Sequence, residues 1–181
     1  DFEPCLDDFA SIAEILGVDL DTHEVQLYGG GTRQAPNIWY DVSYCQGSGA
    51  SFDGSYGYRP DACKRIREHA PQDETLHGIA DRLLAVQQRN AFGLVATVKP
   101  SRWCHYVHEH SRDIEIEDAR DEDRSIDEAD ARELSECLID LMRWLHKSLT
   151  DEWEYRSSDE AVDESIRANE YTFTEEGRRY G

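Results

Sequence analysis

Cys104, His105, His108 and His110 fall within seven residues, and thiolate and imidazole are donors that zinc favours. On a strand, Cys104, His108 and His110 share one face and His105 takes the other, so three donors converge. Same-face neighbours on a strand stand about 7 Å apart, too far for one tetrahedral ion without a bend, and the spacing is not that of a finger or ribbon. The expectation is histidines in a hairpin and no metal. Cys45 is a second candidate, but a thiol nucleophile needs a histidine and an orienting acid, and nothing in the sequence places a histidine beside it. Gly47, Ser48 and Gly49 offer backbone amides to an anion. No GK[ST] ending follows them, the run does not fit GxGxxG, and neither Ser48 nor Ser51 stands in GxSxG. The chain is therefore read as non-enzymatic, without catalytic residues or a cofactor.

The acidic residues carry the stronger signal. From Asp113 to Asp140 there are thirteen Asp and Glu against three Arg, a balance of −10 in 28 residues and half of the −20 of the whole chain. Glu136 and Asp140 stand one helical turn apart, an arrangement that costs a few tenths of a kcal/mol (roughly 0.2–0.5) per like-charged pair. Carboxylates at helical spacing lie about 5–6 Å apart, a spacing comparable with that of phosphates along a nucleic-acid strand. The candidate contact residues are Asp113, Glu115, Glu117, Asp118, Asp121, Glu122, Asp123, Asp127, Glu128, Asp130, Glu133, Glu136 and Asp140, with Asp151, Glu152 and Glu154 beyond them. A solvated face that merely keeps the protein dispersed is the competing account.

Composition narrows the partner. Apolar residues make up 39% of the chain and aromatic residues 10%, too many for a disordered acidic tail, so one folded domain over 1–181 is expected. A charge of −20 repels nucleic acid and anionic membrane surfaces and attracts basic proteins, which excludes direct nucleic-acid binding and a membrane role. Residues 112–181 hold 23 acidic and 10 basic side chains, for −13, so the C-terminal part is the more anionic. Only Lys64, Lys99 and Lys147 are lysines, a scarcity that salt-adapted surfaces share. Five widely separated Cys and no secretory leader point to reduced thiols in a cytoplasmic setting. The chain opens on Asp1 rather than Met, which leaves room for residues before it.

Several elements must position these residues. Pro4 opens a helix with Phe9, Ile12, Ala13, Ile15 and Leu16 inward, stopped by Gly17. Residues 23–28 and 37–45 read as strands, while 46–58 is too glycine-rich for a regular element and reads as a loop or bulge. Short helices follow from Pro60 to about Glu68 and from Asp73 or Thr75 to about Gln88. Residues 94–98 form a strand, 102–110 the return strand of a hairpin, and 114–118 extend the sheet. Leu134, Leu138, Leu141, Leu145 and Leu149 then recur at steps of three or four, marking the longest helix, flanked by Trp144 and Trp153. A short helix to about Ala168 and an edge strand at 171–174 complete the chain. The fold expected is α+β, a small antiparallel sheet packed on helices with one long acidic C-terminal helix.

Residues 38–56 (IWYDVSYCQGSGASFDGSY), 102–116 (RWCHYVHEHSRDIEI) and 153–180 together resemble an uncharacterised family of acidic phage and prophage proteins, some labelled antitoxin of a toxin–antitoxin stability system. The resemblance covers about four fifths of the chain and carries no catalytic residues with it. Ser48 and Gly49 stand where that family usually has an acidic residue. It implies a phage protein acting in a host cell; together with the crowded carboxylates, and by analogy with small acidic phage inhibitors of host defence, the expectation is an acidic inhibitor of a defence nucleoprotein, an anti-CRISPR DNA mimic occupying the basic groove of a CRISPR effector. The alternative is an antitoxin-like module that neutralises a basic toxin through its long helix, using Trp144, Leu149 and Trp153.

Overall fold

A computed structural model describes residues 2–102, 106–121 and 124–179. The first helix, α1 (Glu3–Leu16), carries a proline in its first turn and buries Phe9, Ile12, Ala13, Ile15 and Leu16. Gly17 ends it with φ +92°, a left-handed conformation in which glycine alone avoids a Cβ penalty. Space demands glycine there as well, since a Cβ would stand 2.1 Å from the Gly57 carbonyl oxygen. Next come β1 (Val18–Leu20), β2 (Thr22–Gln26), β3 (Thr32–Pro36), β4 (Ile38–Asp41), β5 (Gly49–Phe52) and β6 (Gly54–Gly57). Helices α2 (Ala62–His69) and α3 (Glu74–Arg89) lead into β7 (Leu94–Pro100) and β8 (Arg112–Asp118), and α4 (Glu128–Ser157) and α5 (Asp159–Ala168) follow.

Among the described residues the strands form a four-stranded antiparallel sheet, β1-β6-β7-β8, and two antiparallel pairs, β2-β3 and β4-β5. The fold is α+β. One face of the larger sheet is apolar, with Val18, Tyr56, Leu94, Ala96 and Val98 buried and Ile114 and Ile116 packed at its margin. Helix α4 adds Leu134, Cys137, Leu138, Leu141, Met142, Leu145 and Leu149 to the same core, beside the buried faces of α1 and α3. At 30 residues it is roughly 45 Å long. Asp127 caps it by accepting from the Ala129 amide, and Asp73 caps α3 by accepting from the Leu76 amide. No described helix is long and apolar enough to cross a membrane.

The glycine-rich run is where expectation and fold part most clearly. Residues 49–52 and 54–57 are strands, and all four residues of β5 are buried. Glycine recurs because other backbone crowds it: a Cβ on Gly49 would lie 2.3 Å from His108 Cβ, and one on Gly54 the same distance from the Asp19 carbonyl oxygen. The return strand of the hairpin also lies later than expected. It is β8, preceded by a 3-10 turn at Glu109–Ser111, and among the described residues of 102–110 there is no strand. The strand expected to reach residue 45 stops at Asp41, where the Asp41 carboxylate accepts from the Ser43 amide and Tyr44 takes a positive φ of 55°. Residues 171–174 contribute only a single bridge, Phe173 to Arg179.

Candidate partner-binding surface

Two arginines of α3 face the acidic stripe of α4. Arg82 donates from Nε to Glu133 Oε1 at 2.7 Å and from Nη1 to Asp140 Oδ2 at 2.6 Å, and its Nη2 lies 3.7 Å from Glu136. Two turns along, Arg89 donates to Asp130 at 2.7 Å, and the Asn90 side chain donates to the other Asp130 oxygen. Asp130, Glu133, Glu136 and Asp140 are thus one side of an intramolecular contact. The hydrogen bonds that Arg82 donates to Glu133 and Asp140 push its pKa above the ordinary value. Arg82 thus offsets within the fold the repulsion that the spacing of Glu136 and Asp140 implies.

Other candidate carboxylates are engaged too. Asp118, at the end of β8, is 2% exposed and bonded to Arg120 at 2.7 Å and Arg124 at 2.9 Å. The Arg120 side chain, and then its amide, hold this carboxyl well below the usual range. Arg120 also donates to the Asn90 and Ala91 carbonyls, so it clamps the turn after α3 to the end of the sheet. Along α4, Glu128 pairs with Arg132, Asp151 with Lys147 and Glu152 with Arg156, while Glu154 accepts from the Tyr44 hydroxyl at 2.7 Å. Asp127 is spent as the helix cap. Glu122 and Asp123 lie outside the described residues.

What stays open is the outer face of β8. The burial of this strand alternates, with Asp113, Glu115 and Glu117 exposed and Ile114 and Ile116 half-buried beneath them. Same-face positions on a strand recur about every 7 Å, so the three carboxylates form a straight row. Glu115 meets the Lys99 ammonium at 3.0 Å, both side chains more than half exposed. Such a surface pair is worth little, with a median of about 0–1 kcal/mol, and leaves the row strongly anionic. Asp121 and Glu128 are exposed on the segment that follows.

The remaining sequence candidates do not assemble a reactive centre among the described residues. Cys45 is exposed, with the Ser43 hydroxyl 3.3 Å from its sulfur. That hydrogen bond and one from the Gly47 amide lower its pKa. The His108 and His110 rings stand 6.0 Å apart, and His108 stacks on Tyr106. Cys104 and His105 lie outside the described residues, and no described group of three His, Cys, Asp or Glu has the arrangement of a metal site. Of the apolar residues expected on an open helix face, Leu149 is fully buried and Trp144 is held by Phe9 and by a 2.7 Å bond from its indole N–H to Asp73; only Trp153 is exposed.

One polar cluster gave no sign of itself in the sequence. Asp53, between β5 and β6, meets Arg112 at 2.7 Å, with both side chains more than nine-tenths buried, and accepts from the Trp39 indole at 2.9 Å. This cluster ties the β4-β5 pair to the start of β8 and so fixes the row of carboxylates against the body of the protein. One aspartate among 39 acidic residues has nothing to distinguish it before folding.

No curated protein and no solved structure matches the chain. A family model described as Domain of unknown function (DUF8835) matches residues 2–159, which include every strand and α1 to α4 up to its C-terminal end, and the chain belongs to that family.

Proposed function

We propose that this protein is a non-catalytic acidic binding module that occupies the basic nucleic-acid groove of a partner, in the manner of an anti-CRISPR DNA mimic, with β8 as its leading surface. The observation that carries the reading is the row Asp113, Glu115, Glu117: three exposed carboxylates on one face of a strand, with Lys99 their nearby cation. One charge about every 7 Å is a spacing comparable with that of phosphates along a nucleic-acid strand. The acidic stripe of α4 is not the docking surface, because α3 already occupies it through Arg82 and Arg89. A phage origin and a host-cell setting belong to this reading and rest on the resemblance of residues 38–56, 102–116 and 153–180.

The test is competition. Purified CRISPR effector complexes, the first class to try, are mixed with labelled target DNA and increasing amounts of this protein in a mobility-shift assay. Suppression of DNA binding that fades between low and high salt supports charge-for-charge occupancy, since screening at about 1 M salt confines such attraction to about 3 Å. No suppression at low salt with the protein in excess counts against mimicry for that effector class.

A second reading is favoured by one observation, the exposure of Trp153, Tyr155 and Val162 where α4 meets α5. An antitoxin-like module would use that apolar end on a basic toxin, and its binding would hardly respond to salt.

A further inference from the structure

Among the described residues, the row of carboxylates stands beside an unpaired sheet edge. Strand β8 is the last of four, so β7 occupies one of its sides. The bonds at either end of the ladder fix which residues face which way. The Ser101 amide donates to the Ser111 carbonyl, and the Ala119 amide donates to the Gly93 carbonyl. With the register Lys99 to Asp113, Thr97 to Glu115 and Val95 to Glu117, residues 113, 115 and 117 are the ones that exchange backbone bonds with β7. Pro100, which has no amide proton, sits opposite Arg112 in a pair that needs none, as this phasing requires. The N–H and C=O groups of Ile114 and Ile116 therefore point away from β7, and no residue described takes them up.

Such an edge invites another strand, and charge decides which. A second copy of β8 laid along it would set Asp113, Glu115 and Glu117 against the same carboxylates, and like charges directly opposite each other destabilise a pair. A strand with Lys or Arg at alternate positions instead places each cation beside a carboxylate and each intervening apolar side chain over half-buried Ile114 and Ile116. The opposite edge, β1, has three residues and offers little length to a partner, whereas β8 has seven.

We infer that the free edge of β8 receives an extended basic segment of the partner as a fifth strand, recognised by alternating cationic and apolar side chains. The inference rests on the acidic docking reading and adds backbone pairing to it. Charge steers the segment to the face, and the Ile114 and Ile116 groups hold it in register.

The probe is an eight-residue peptide of alternating Val and Lys, with blocked ends, followed at low salt by amide NMR of the whole protein. Two analogues carry N-methyl groups on all Val or on all Lys. The expected result is slowed hydrogen exchange at the Ile114 and Ile116 amides and binding weakened about tenfold or more by one methylated set. The valine set weakens if the added strand runs antiparallel and the lysine set if it runs parallel, because those residues supply the bonds in each case. If both methylated peptides bind like the parent and Ile114 and Ile116 gain no protection, strand addition is overturned while acidic docking stands. If the peptide does not bind, or binds a folded D113N/E115Q/E117Q variant equally well, the acidic face is not the dock and both statements fall.

Discussion

Arg82 and Asp140 meet at 2.6 Å across the α3–α4 contact, and the same guanidinium holds Glu133 at 2.7 Å on its other side. One cation thereby joins carboxylates seven residues apart on α4, the spacing of two helical turns. The most crowded acid in the chain is consequently part of what holds the fold together.

Replacing Arg82 with Gln should destabilise the protein, because it leaves Glu133 and Glu136 without their cation and Asp140 with Arg143 alone. The site is about one-third exposed, so solvent screens much of the loss and the expected cost is about 1–2 kcal/mol. A cycle with Asp140→Asn in urea unfolding checks it, and additive single-site effects would show that the two residues do not interact.

Two glycines two residues apart, Gly47 in a turn and Gly49 at the start of β5, should behave differently. A Cβ on Gly49 would meet His108 Cβ at 2.3 Å and its main-chain Cα at 2.5 Å, and neither atom can move aside by a side-chain rotation. Gly49→Ala should cost about 1–3 kcal/mol, as overpacking does. The Cβ of a Gly47→Ala variant would meet the Tyr106 ring at 2.4 Å, but that ring is exposed and can swing aside at the cost of its stacking on His108, so the thermal midpoint should fall less than in Gly49→Ala.

Acid should release the Asp118 clamp. Folding lowers the pKa of this carboxyl below its ordinary 3.8, through Arg120 first. The unfolded chain therefore takes up the proton more readily, and the stability that Asp118 supplies is complete above its unfolded pKa of about 4 and lost as pH falls through the folded value. The gap in unfolding free energy between wild type and Asp118→Asn should be constant near neutrality and shrink below about pH 4. A gap that widened on acidification would reverse the assignment.

The cysteines should separate by reactivity. Cys45 is exposed with a lowered pKa, whereas burial pushes the Cys137 thiol up to about 12. Brief iodoacetamide treatment at neutral pH, read by peptide mass spectrometry, should label Cys45 first and leave Cys137 untouched until urea is added.

The sequence made α1, α3 and α4 readable because each repeats apolar residues at helical spacing, with Pro4 and Asp73 marking two of the starts, whereas the start of α4 at Asp127 is hidden in the acidic run before Leu134. Strand β3 was not readable: nearly all of TRQAP is exposed, so no alternation marks it, and its partner β2 supplies its order. In β5 and β6 glycine signalled irregular chain, and tertiary crowding by His108 and Asp19 overrode that local preference. The acidic surface was legible only as a total. Counting charges located Asp113 to Asp140, but the pairing with Arg82, Arg89 and Arg120 depends on helices and strands that meet only after folding.

The most direct measurement compares two charge-reversal variants in the DNA-competition assay. One carries Asp113→Lys, Glu115→Lys and Glu117→Lys on β8; the other carries Asp151→Lys and Glu154→Lys near the end of α4. If β8 imitates phosphates, the first variant loses inhibition by about tenfold or more while the second stays close to wild type. Inhibition unchanged by the β8 reversal, or lost only in the α4 variant, would contradict the account.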